Sequence, residues 1–529
     1  DTPTPYADGG NYAVLNAIRP STATLTDGNL KLTATTAAAW ANRLSTIGMS
    51  EGKWYCEYTV NVAISPHIIG ITDGDIPSAN YVGQTAGSWG YYGNGVVYNN
   101  AVSSPLGASY TAGDLIGFAF DADVGALEFF KNGASQGSVT SIPSGEYFFA
   151  FSCTSVSSSG SINFGQRPFA YTSPTGFLPL HTGNLPDAAI ENGSEYFAAT
   201  TYTGNGGTQS IVNSGGFQPD LVWIKSRSTA DSNAFFDSIR GVGRFIRSDA
   251  TAAENGNSGD LMGAFNSNGF QVNTDLLGTT NGTTNGSGQP QVGWQWKAGG
   301  AAVTNTAGSI TSQVSASPTA GFSVVTYTGT GANATVGHSL GVAPKMVITK
   351  GRDAVPNNWG TWHTSLGALG YLYLNTTSAA GSLSTFWNSA VPTSSVFSLG
   401  SETTVNTNTK LYVAYCFSEV PGYSKFGSYV GNGSSDGPFV YLGFRPKFVM
   451  FKRTDSTQQW VLYDTARDVY NAVSNYLVPS ASSAEAGFVN ADFLSNGFKL
   501  RSTSSLNISG GDYIYMAFAE NPFKNSLAR

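Results

Sequence analysis

The chain has 529 residues and a formal net charge of −7, and only 11% of its residues are charged, less than half of the roughly 25% usual in soluble proteins. This length accommodates about three to five domains, and 41% hydrophobic with 13% aromatic content excludes a disordered chain because it supplies ample material for packed cores. Lys and Arg are scattered without a basic stripe, and no run of 18 apolar residues occurs. We therefore expect neither nucleic-acid binding nor membrane insertion.

Residues 1–10 (DTPTPYADGG) have the composition of a linker. Because the chain begins at Asp1 without Met, we interpret them as an N-terminal remnant and expect the chain to be a piece of a larger protein.

Strand signals follow from about residue 11 to residue 170. KWYCEYTV (53–60) alternates between apolar and polar residues, and residues 113–137 predict two strands and then a hairpin whose turn is Asn132-Gly133. YFFAFSC (147–153) supplies a further aromatic strand. Strands at such short intervals predict an antiparallel β-sandwich.

Several phrases in this stretch, taken in order, resemble a SPRY domain. They are GKWYCEY, the YGNG of 92–95, GDLIGFAFDAD, the LEFFKNG of 127–133 and NFGQRPFAY of 163–171. The resemblance covers residues 11–170 and implies a two-sheet, concanavalin-like jelly-roll that binds protein or glycan through its loops and performs no chemistry.

Residues 171–195 form a proline-rich bridge, which we expect to be stiff and to hold the sandwich close to the segment that follows.

One phrase then occurs three times at a fixed distance from a second phrase. TYTGNG (201–206), TYTGTG (326–331) and SYVGNG (428–433) precede GFQPDLVWIK (216–225), GVAPKMVITK (341–350) and GFRPKFVMFK (443–452). The distance from the Tyr to the apolar residue after Gly is 15 residues each time. We predict three versions of one module at 196–300, 322–420 and 421–529, with a linker at 301–321. Modules of about 100 residues normally fold as separate domains.

The second phrase predicts a strand. Leu221, Trp223 and Lys225 then face one side and Val222 and Ile224 the other, with Trp223 in the core. Helical periodicity is scarce, and only the stretch from 464 to 475 indicates a short helix. The predicted fold class is mainly β, an antiparallel β-sandwich followed by three β-rich repeat domains.

The usual catalytic and metal-binding patterns are missing from the sequence. The cysteines lie far apart, no two of the four histidines stand at i, i+4, and no GxSxG, Walker or HExxH sequence occurs. We predict no catalytic residues, no metal, no cofactor and no enzyme activity. Asp121 and Asp123 are candidates for an acid pair or a calcium site, and a turn between two strands is the stronger interpretation.

Aromatic residues in polar surroundings are the better candidates for a binding site, because sugar rings stack on aromatic faces. In the sandwich they are Trp89, Tyr91, Tyr92 and Tyr98, and the alternative is that the alternation builds the inner face of a strand. In the middle repeat they are Trp359, Trp362 and His363, which have no counterpart of the same pattern in the first repeat. Specialised binding or sequence drift explains that departure.

The order of sandwich, bridge and repeats is similar to that of bacteriophage tail-fibre-like structural proteins. This similarity implies a virion protein, located extracellularly and in the tail, that attaches to a host-surface glycan or protein. It also implies other virion proteins as partners and, by analogy, a homotrimer. A capsid decoration, head-fibre or baseplate protein is the alternative, and a glycan depolymerase is the third.

Overall fold

The computed structural model describes residues 10–37, 39–74, 76–77, 80–256, 261–274, 283–353 and 357–522. The chain divides into two compact units, and the boundary falls between residues 187 and 188. All of the expected N-terminal linker except Gly10 lies outside the described residues. Among the described residues, no helix is long and apolar enough to cross a membrane.

The first unit is built from short strands. In chain order they are β1 (Ala23–Thr26), β2 (Lys31–Ala34), β3 (Ala41–Leu44), β4 (Lys53–Val62), β5 (Ile68–Thr72), β6 (Ser88–Tyr92), β7 (Val96–Asn99), β8 (Val102–Pro105), β9 (Leu115–Asp121), β10 (Ala126–Lys131), β11 (Ala134–Val139), β12 (Phe148–Cys153), β13 (Ser159–Asn163) and β14 (Leu178–Pro179).

These strands form the predicted antiparallel sandwich. One sheet has the order β1-β2-β13-β4-β9-β10-β11, with β14 beside β4, and the other has the order β3-β12-β5-β6-β7-β8. Aromatic rings fill the space between the sheets, and Phe118 contacts both Phe149 and Phe151 at centroid distances of 4.9 and 5.6 Å. The predicted hairpin joins β10 to β11, and Asn132 and Gly133 both have the positive φ that a type I′ turn requires.

The proline-rich bridge is divided between the two units. Leu178 and Pro179 pair with β4, and His181 forms an isolated bridge with Tyr12, so this part of the bridge packs on the first unit. The short 3₁₀ turn at Gly193–Glu195 belongs to the second unit.

The second unit is also almost entirely strands. They are β15 (Phe197–Thr203), β16 (Gln209–Val212), β17 (Leu221–Ser226), β18 (Ala234–Asp237), β19 (Arg244–Arg247), β20 (Asn255–Gly256), β21 (Met262–Asn266), β22 (Gly269–Val272), β23 (Pro290–Trp296), β24 (Val303–Asn305), β25 (Ser312–Ser317), β26 (Phe322–Thr328), β27 (Ala334–Gly337), β28 (Met346–Gly351), β29 (Gly360–His363), β30 (Gly370–Tyr373), β31 (Gly381–Ser382), β32 (Val396–Leu399), β33 (Leu411–Phe417), β34 (Ser424–Val430), β35 (Phe439–Tyr441), β36 (Phe444–Arg453), β37 (Val461–Asp464), β38 (Val473–Tyr476), β39 (Ala486–Leu494), β40 (Gly497–Leu500) and β41 (Asp512–Pro522). The single turn of α-helix α1 is Thr403–Asn406.

The same order of four strands recurs in three large sheets. It is β15-β23-β17-β18 in the first segment (196–300), β26-β33-β28-β29 in the second (322–420) and β34-β41-β36-β37 in the third (421–522). Smaller sheets, β16-β22-β21, β27-β32 and β35-β40-β39-β38, accompany them. The predicted alternation along β17 is confirmed, because Leu221 and Trp223 lie in one core cluster and Val222 and Ile224 in another.

Two hydrogen bonds also recur at equivalent places in the three segments. A Tyr hydroxyl donates to a backbone carbonyl, and the pairs are Tyr202 to Thr284 (2.6 Å), Tyr327 to Val405 (2.7 Å) and Tyr429 to Leu506 (2.8 Å). The next residue along, an Asn, accepts at its side-chain oxygen from a loop amide, and the pairs are Asn285 from Asn205, Asn406 from Thr330 and Asn507 from Asn432.

The three segments share one core around a hub of three aromatic rings. Trp296, Phe417 and Phe518 hold equivalent positions, since they pair with Phe197, Phe322 and Ser424 at the starts of β15, β26 and β34. Their ring centroids form a triangle with sides of 6.2, 5.8 and 6.1 Å. The expectation of separately folded domains therefore differs from the structure. Each sheet buries its aromatic edge against the other two, and residues 188–522 form one unit.

Two smaller predictions are wrong. The expected linker at 301–321 contains β24 and β25, which extend the sheet of the second segment. The expected helix at 464–475 is instead the end of β37, a turn and the start of β38. The Asp464 carboxylate accepts from the backbone amides of Ala466 and Arg467, which closes a tight turn.

Candidate functional site

The four aromatic candidates of the sandwich divide between the two faces of its second sheet. Trp89 and Tyr91 point inward, where Trp89 contacts Tyr147 and Tyr91 is fully buried. The prediction that Tyr91 contacts a ligand is therefore wrong, because strand alternation places its side chain in the core. Tyr92 and Tyr98 point outward and are partly exposed.

Two further aromatic residues join Tyr92 and Tyr98 on this outer face. We call the four side chains the aromatic patch: Trp40, Tyr81, Tyr92 and Tyr98. Centroid distances around the patch are 5.3 Å (Trp40–Tyr81), 5.6 Å (Tyr81–Tyr98), 5.8 Å (Tyr98–Tyr92) and 6.4 Å (Tyr92–Trp40). All four residues are of intermediate exposure.

The loop before β6 places Tyr81 beside the sheet. The Val82 amide donates to the Ser152 hydroxyl of β12, and a Cβ at Gly90 would lie 2.3 Å from the Val82 carbonyl oxygen. Only glycine at position 90 therefore lets the loop lie this close to β6. Partial burial raises the pKa of Tyr81 and Tyr92, so that both phenols are neutral donors at neutral pH.

Trp89 lines a separate cleft at the edge of the sandwich. The cleft has a volume of about 380 Å³ and lies between the β7–β8 hairpin and β11. Its walls include Val97, Pro105 and Val139, and its Trp89 side chain is only 9% exposed. Trp89 thus contributes to this cleft on the inward side of the sheet, opposite to the aromatic patch.

The three candidates of the second segment are buried, which corrects their assignment as ligand contacts. Trp359 and His363 are fully buried, and Trp362 is 3% exposed. The Trp359 indole donates to the Arg247 carbonyl of the first segment at 2.8 Å, whereas the Trp362 indole donates to Gly367 within its own segment. Trp359 thus joins two segments, whereas Trp362 packs within its own.

Trp359 has equivalents at the other two boundaries between segments. Each of the three side chains donates across a boundary to a carbonyl of the neighbouring segment, and the pairs are Trp359 to Arg247 (2.8 Å), Trp460 to Tyr373 (2.9 Å) and Asn233 to Val478 (3.3 Å). The second segment donates to the first, the third to the second, and the first to the third. The three segments thus close into a ring.

Two boundaries contain a buried Asp–Arg pair, and we call them the carboxylate seams. Between the first and second segments, Asp237 pairs with Arg240 at 2.5 Å and accepts from the Tyr415 hydroxyl at 2.8 Å. Between the third and first segments, Asp464 pairs with Arg467 at 2.7 Å.

Further polar contacts reinforce each carboxylate seam. Asp464 accepts from the Trp294 indole at 3.0 Å. A second ion pair joins the segments at each seam, Arg352 with Glu254 at 2.9 Å and Arg227 with Glu485 at 2.7 Å.

The boundary between the second and third segments has His363 at the corresponding position, and we call it the histidine seam. The His363 Nε2 donates to the Tyr515 carbonyl at 3.1 Å, and its Nδ1 accepts from the Ser365 amide. Burial lowers the pKa of His363 to about 4, so this imidazole is neutral at neutral pH. His363, which has no counterpart in the first segment, therefore serves the packing between segments.

Three buried lysines lie at equivalent ends of β17, β28 and β36. Lys225, Lys350 and Lys452 are fully buried, and their amines donate to backbone carbonyls. Burial lowers the pKa of each to about 8. Two of them donate to a neighbouring segment, Lys350 to Thr251 and Lys452 to Thr377, so they also hold the ring together.

The acidic candidates have structural partners. The Asp121 carboxylate contacts the Lys53 amine at 2.9 Å, and the Asp123 carboxylate accepts from the Gly52 amide at 2.7 Å. Both contacts favour the turn interpretation. Within the described ranges, no group of three or more His, Cys, Asp or Glu side chains is placed to hold a metal ion.

Sequence reasoning missed Trp40 and Tyr81, although a signal was present. Residues 76–113 contain no Asp, Glu, Lys, Arg or His, in a chain with 33 Asp and Glu, 26 Lys and Arg and 4 His. Such a long uncharged stretch with several Tyr residues marks a neutral surface. Trp40 immediately precedes β3, far from Tyr81 in the sequence, and only the fold brings it to the patch.

Both units match known families. The model of a domain of unknown function, DUF7483, matches residues 192–522, and the SPRY domain model matches residues 53–167. Among solved structures, the SPRY domain of human HERC1 is 18% identical at a TM-score of 0.27, covering 29% of this chain and 99% of that one. A second human SPRY domain is 18% identical at a TM-score of 0.24, covering 28% and 98%. Stonustoxin is 14% identical at a TM-score of 0.25, covering 28% of each chain.

Proposed function

We propose, from the premise that the chain belongs to the DUF7483 family and carries an N-terminal SPRY domain, that it is a structural protein of a bacteriophage virion. In this proposal it is a tail fibre or receptor-binding segment that attaches to a host-surface glycan or protein without chemistry. Its partners are the host surface and other virion proteins.

The observation that carries the proposal is the aromatic patch on the outer face of the sandwich. Partly exposed Trp and Tyr rings on a polar surface are typical of binding sites, because they offer apolar area and hydrogen bonds together. The acidic residues that the sequence offered for catalysis are instead engaged in a turn, which supports attachment over cleavage.

We further propose that the three segments are diverged copies of one module. The shared strand order and the repeated Tyr and Asn hydrogen bonds support a common origin. A homotrimer remains part of the proposal, with contacts outside the hub, because one chain already supplies all three hub rings.

The test measures attachment and turnover together. Purified protein is incubated with host cells and with their isolated surface polysaccharide, and both adsorption and newly released reducing ends are scored. Saturable adsorption without release of reducing ends is the expected result. Release of reducing ends would replace the proposal with a depolymerase, and absence of adsorption would replace it with a capsid, head-fibre or baseplate role.

A further inference from the structure

The rings of the aromatic patch contact one another without stacking face to face, and each is partly exposed. Its four contacts have interplanar angles of 51° to 83°, so the rings are tilted or edge-on and none is stacked face to face. A sugar ring packs its C–H groups against an exposed aromatic surface, and the partial exposure of these four rings provides one. The patch is therefore preorganised by its own edge contacts for a flat, partly apolar ligand.

The polar atoms of the patch are also available. In the part of the chain that the structure describes, no hydrogen bond engages the hydroxyls of Tyr81, Tyr92 and Tyr98. Tyrosines elsewhere in the same sandwich contrast with this, since Tyr110 donates to the His67 carbonyl and Tyr147 to the Pro143 carbonyl. Exposed phenols beside aromatic faces offer a ligand both donors and acceptors.

The stretch of sequence that supplies most of the aromatic patch carries no charged side chain. Residues 76–113 supply three of its four rings and contain no ionisable side chain other than Tyr. An acidic polysaccharide or a phosphate headgroup requires cationic partners, which this stretch lacks. Neutral hydroxyl-bearing sugars match a neutral aromatic surface.

The opposite outer face of the sandwich shows what an occupied aromatic surface looks like. There Tyr55 contacts Phe130, and the chain covers it with Phe169 at a centroid distance of 4.9 Å. Glu57 fixes that covering segment by accepting from the Ala170 and Tyr171 amides. Tyr55 is consequently only 2% exposed, whereas every ring of the aromatic patch remains partly exposed.

We infer that the aromatic patch is a binding site for a neutral glycan, with hexose rings packed on its partly exposed rings and sugar hydroxyls bonded to its phenols. The inference rests on the proposed attachment function and names the ligand class for it. Of the candidates in the sandwich, the site keeps Tyr92 and Tyr98 and leaves out the inward-facing Trp89 and Tyr91. It adds Trp40 and Tyr81.

The test uses the full chain and two groups of probes. Affinity electrophoresis through dextran, mannan or galactan measures neutral binding, and alginate and hyaluronate serve as acidic probes. We expect retardation by at least one neutral polysaccharide and none by the acidic ones. Retardation by the acidic probes alone, or by none of the neutral ones, would overturn the inference.

Variants locate the binding. Trp40→Ala and the double variant Tyr92→Ala with Tyr98→Ala should each weaken neutral binding about tenfold or more. Tyr92→Phe keeps the ring and should lose less than Tyr92→Ala. Tyr171→Ala is the matched control, because Tyr171 is also a partly exposed tyrosine of the sandwich, at 37%, and lies outside the patch. Equal binding by all these variants would refute the site.

Host-cell adsorption separates this inference from the proposed function. If the patch variants lose neutral binding while the wild type fails to adsorb to cells, the site stands and the attachment function fails. If the wild type adsorbs and the patch variants bind neutral glycans normally, attachment stands and the site is wrong. Circular dichroism and thermal unfolding of each variant show whether a loss of binding reflects loss of fold.

Discussion

The carboxylate seams and the histidine seam solve the same packing problem with different chemistry. Asp237 and Asp464 are fully buried with an Arg three residues later, whereas His363 is followed at that distance by Leu366. A buried carboxylate requires a charged partner, but a neutral imidazole needs only a carbonyl and an amide. The ring therefore tolerates either solution, provided that each seam is complete in itself.

The residue across each seam matches the choice. Tyr415 and Trp294 donate to the two Asp carboxylates, and Met516, which occupies the equivalent position in β41, has no proton to donate. His363 accordingly bonds to the Tyr515 backbone instead. A change at one residue of a seam is thus matched by a change in the residue that faces it from the other segment. The sequence of one segment alone does not show this match.

The largest effect is expected from neutralising a carboxylate seam. Asp464→Asn removes the fully buried carboxylate that pairs with the Arg467 guanidinium and leaves that cation with Glu485 alone, and we expect a loss of about 3–5 kcal/mol in the free energy of unfolding. Urea denaturation followed by Trp fluorescence measures it. Asp455→Asn is the control, because the Asp455–Arg453 pair is partly exposed and should contribute no more than about 1 kcal/mol. Equal losses in the two variants would contradict the distinction.

The second prediction converts the histidine seam into a carboxylate seam. His363→Asp places a carboxylate in a buried site without a guanidinium and should cost about 3 kcal/mol. Adding Leu366→Arg recreates the Asp–Arg spacing of the other seams and should recover part of that loss. A double-mutant cycle gives the coupling energy, and a coupling near zero would mean that the three seams are not interchangeable.

The third prediction concerns acid. The folded-state pKa of His363, about 4, lies below its ordinary value of 6.5, so the unfolded chain binds more protons between these values. Its contribution is complete above pH 6.5 and declines as the pH falls toward 4, by about 2 kcal/mol between pH 6.5 and pH 5. Denaturation curves of His363→Gln at the two pH values should show a smaller difference than those of the wild type.

His67 in the sandwich provides the comparison for this pH effect, since burial also lowers its pKa to about 4. His67→Gln should reduce the acid sensitivity of the sandwich and leave that of the ring unchanged. Acid sensitivity of the ring that persists in His363→Gln would assign the effect to other groups.

The smallest effect should be the same in all three segments. Tyr327→Phe removes a hydroxyl that donates to the Val405 carbonyl, and we expect a loss of about 1 kcal/mol. Tyr202→Phe and Tyr429→Phe remove the equivalent bonds and should cost similar amounts. Denaturation midpoints that differ widely among the three would show that equivalent geometry does not mean equivalent energetics.

Local patterns in the sequence were sufficient for the mainly β fold class and for individual strands. Period-2 alternation located β17, and the Asn-Gly pair located the β10–β11 hairpin, because both depend on neighbouring residues. The closure of the three segments into a ring could not be predicted from the sequence, because its contacts join residues as far apart as Arg227 and Glu485. Nothing near either residue specifies the other.

The candidate site was predicted in part for the same reason. Tyr92 and Tyr98 were selected as aromatic residues in polar surroundings, and the β6–β7 hairpin places both on the partly exposed outer face. Trp359 and His363 looked exposed because Gly and Asn surround them, but another segment covers them. Burial by a distant part of the chain leaves no mark in local composition.

The hub has a consequence for how the protein is made. A ribosome releases Trp296 first, Phe417 next and Phe518 only near the end of the described chain, so the triangle lacks a corner until β41 has emerged. We expect a nascent chain ending at residue 420 to expose its aromatic edges and to be cleaved readily by protease, unlike the full chain. Because β41 is also an interior strand of its sheet, a strand that emerges late completes the core to which the first segment contributes.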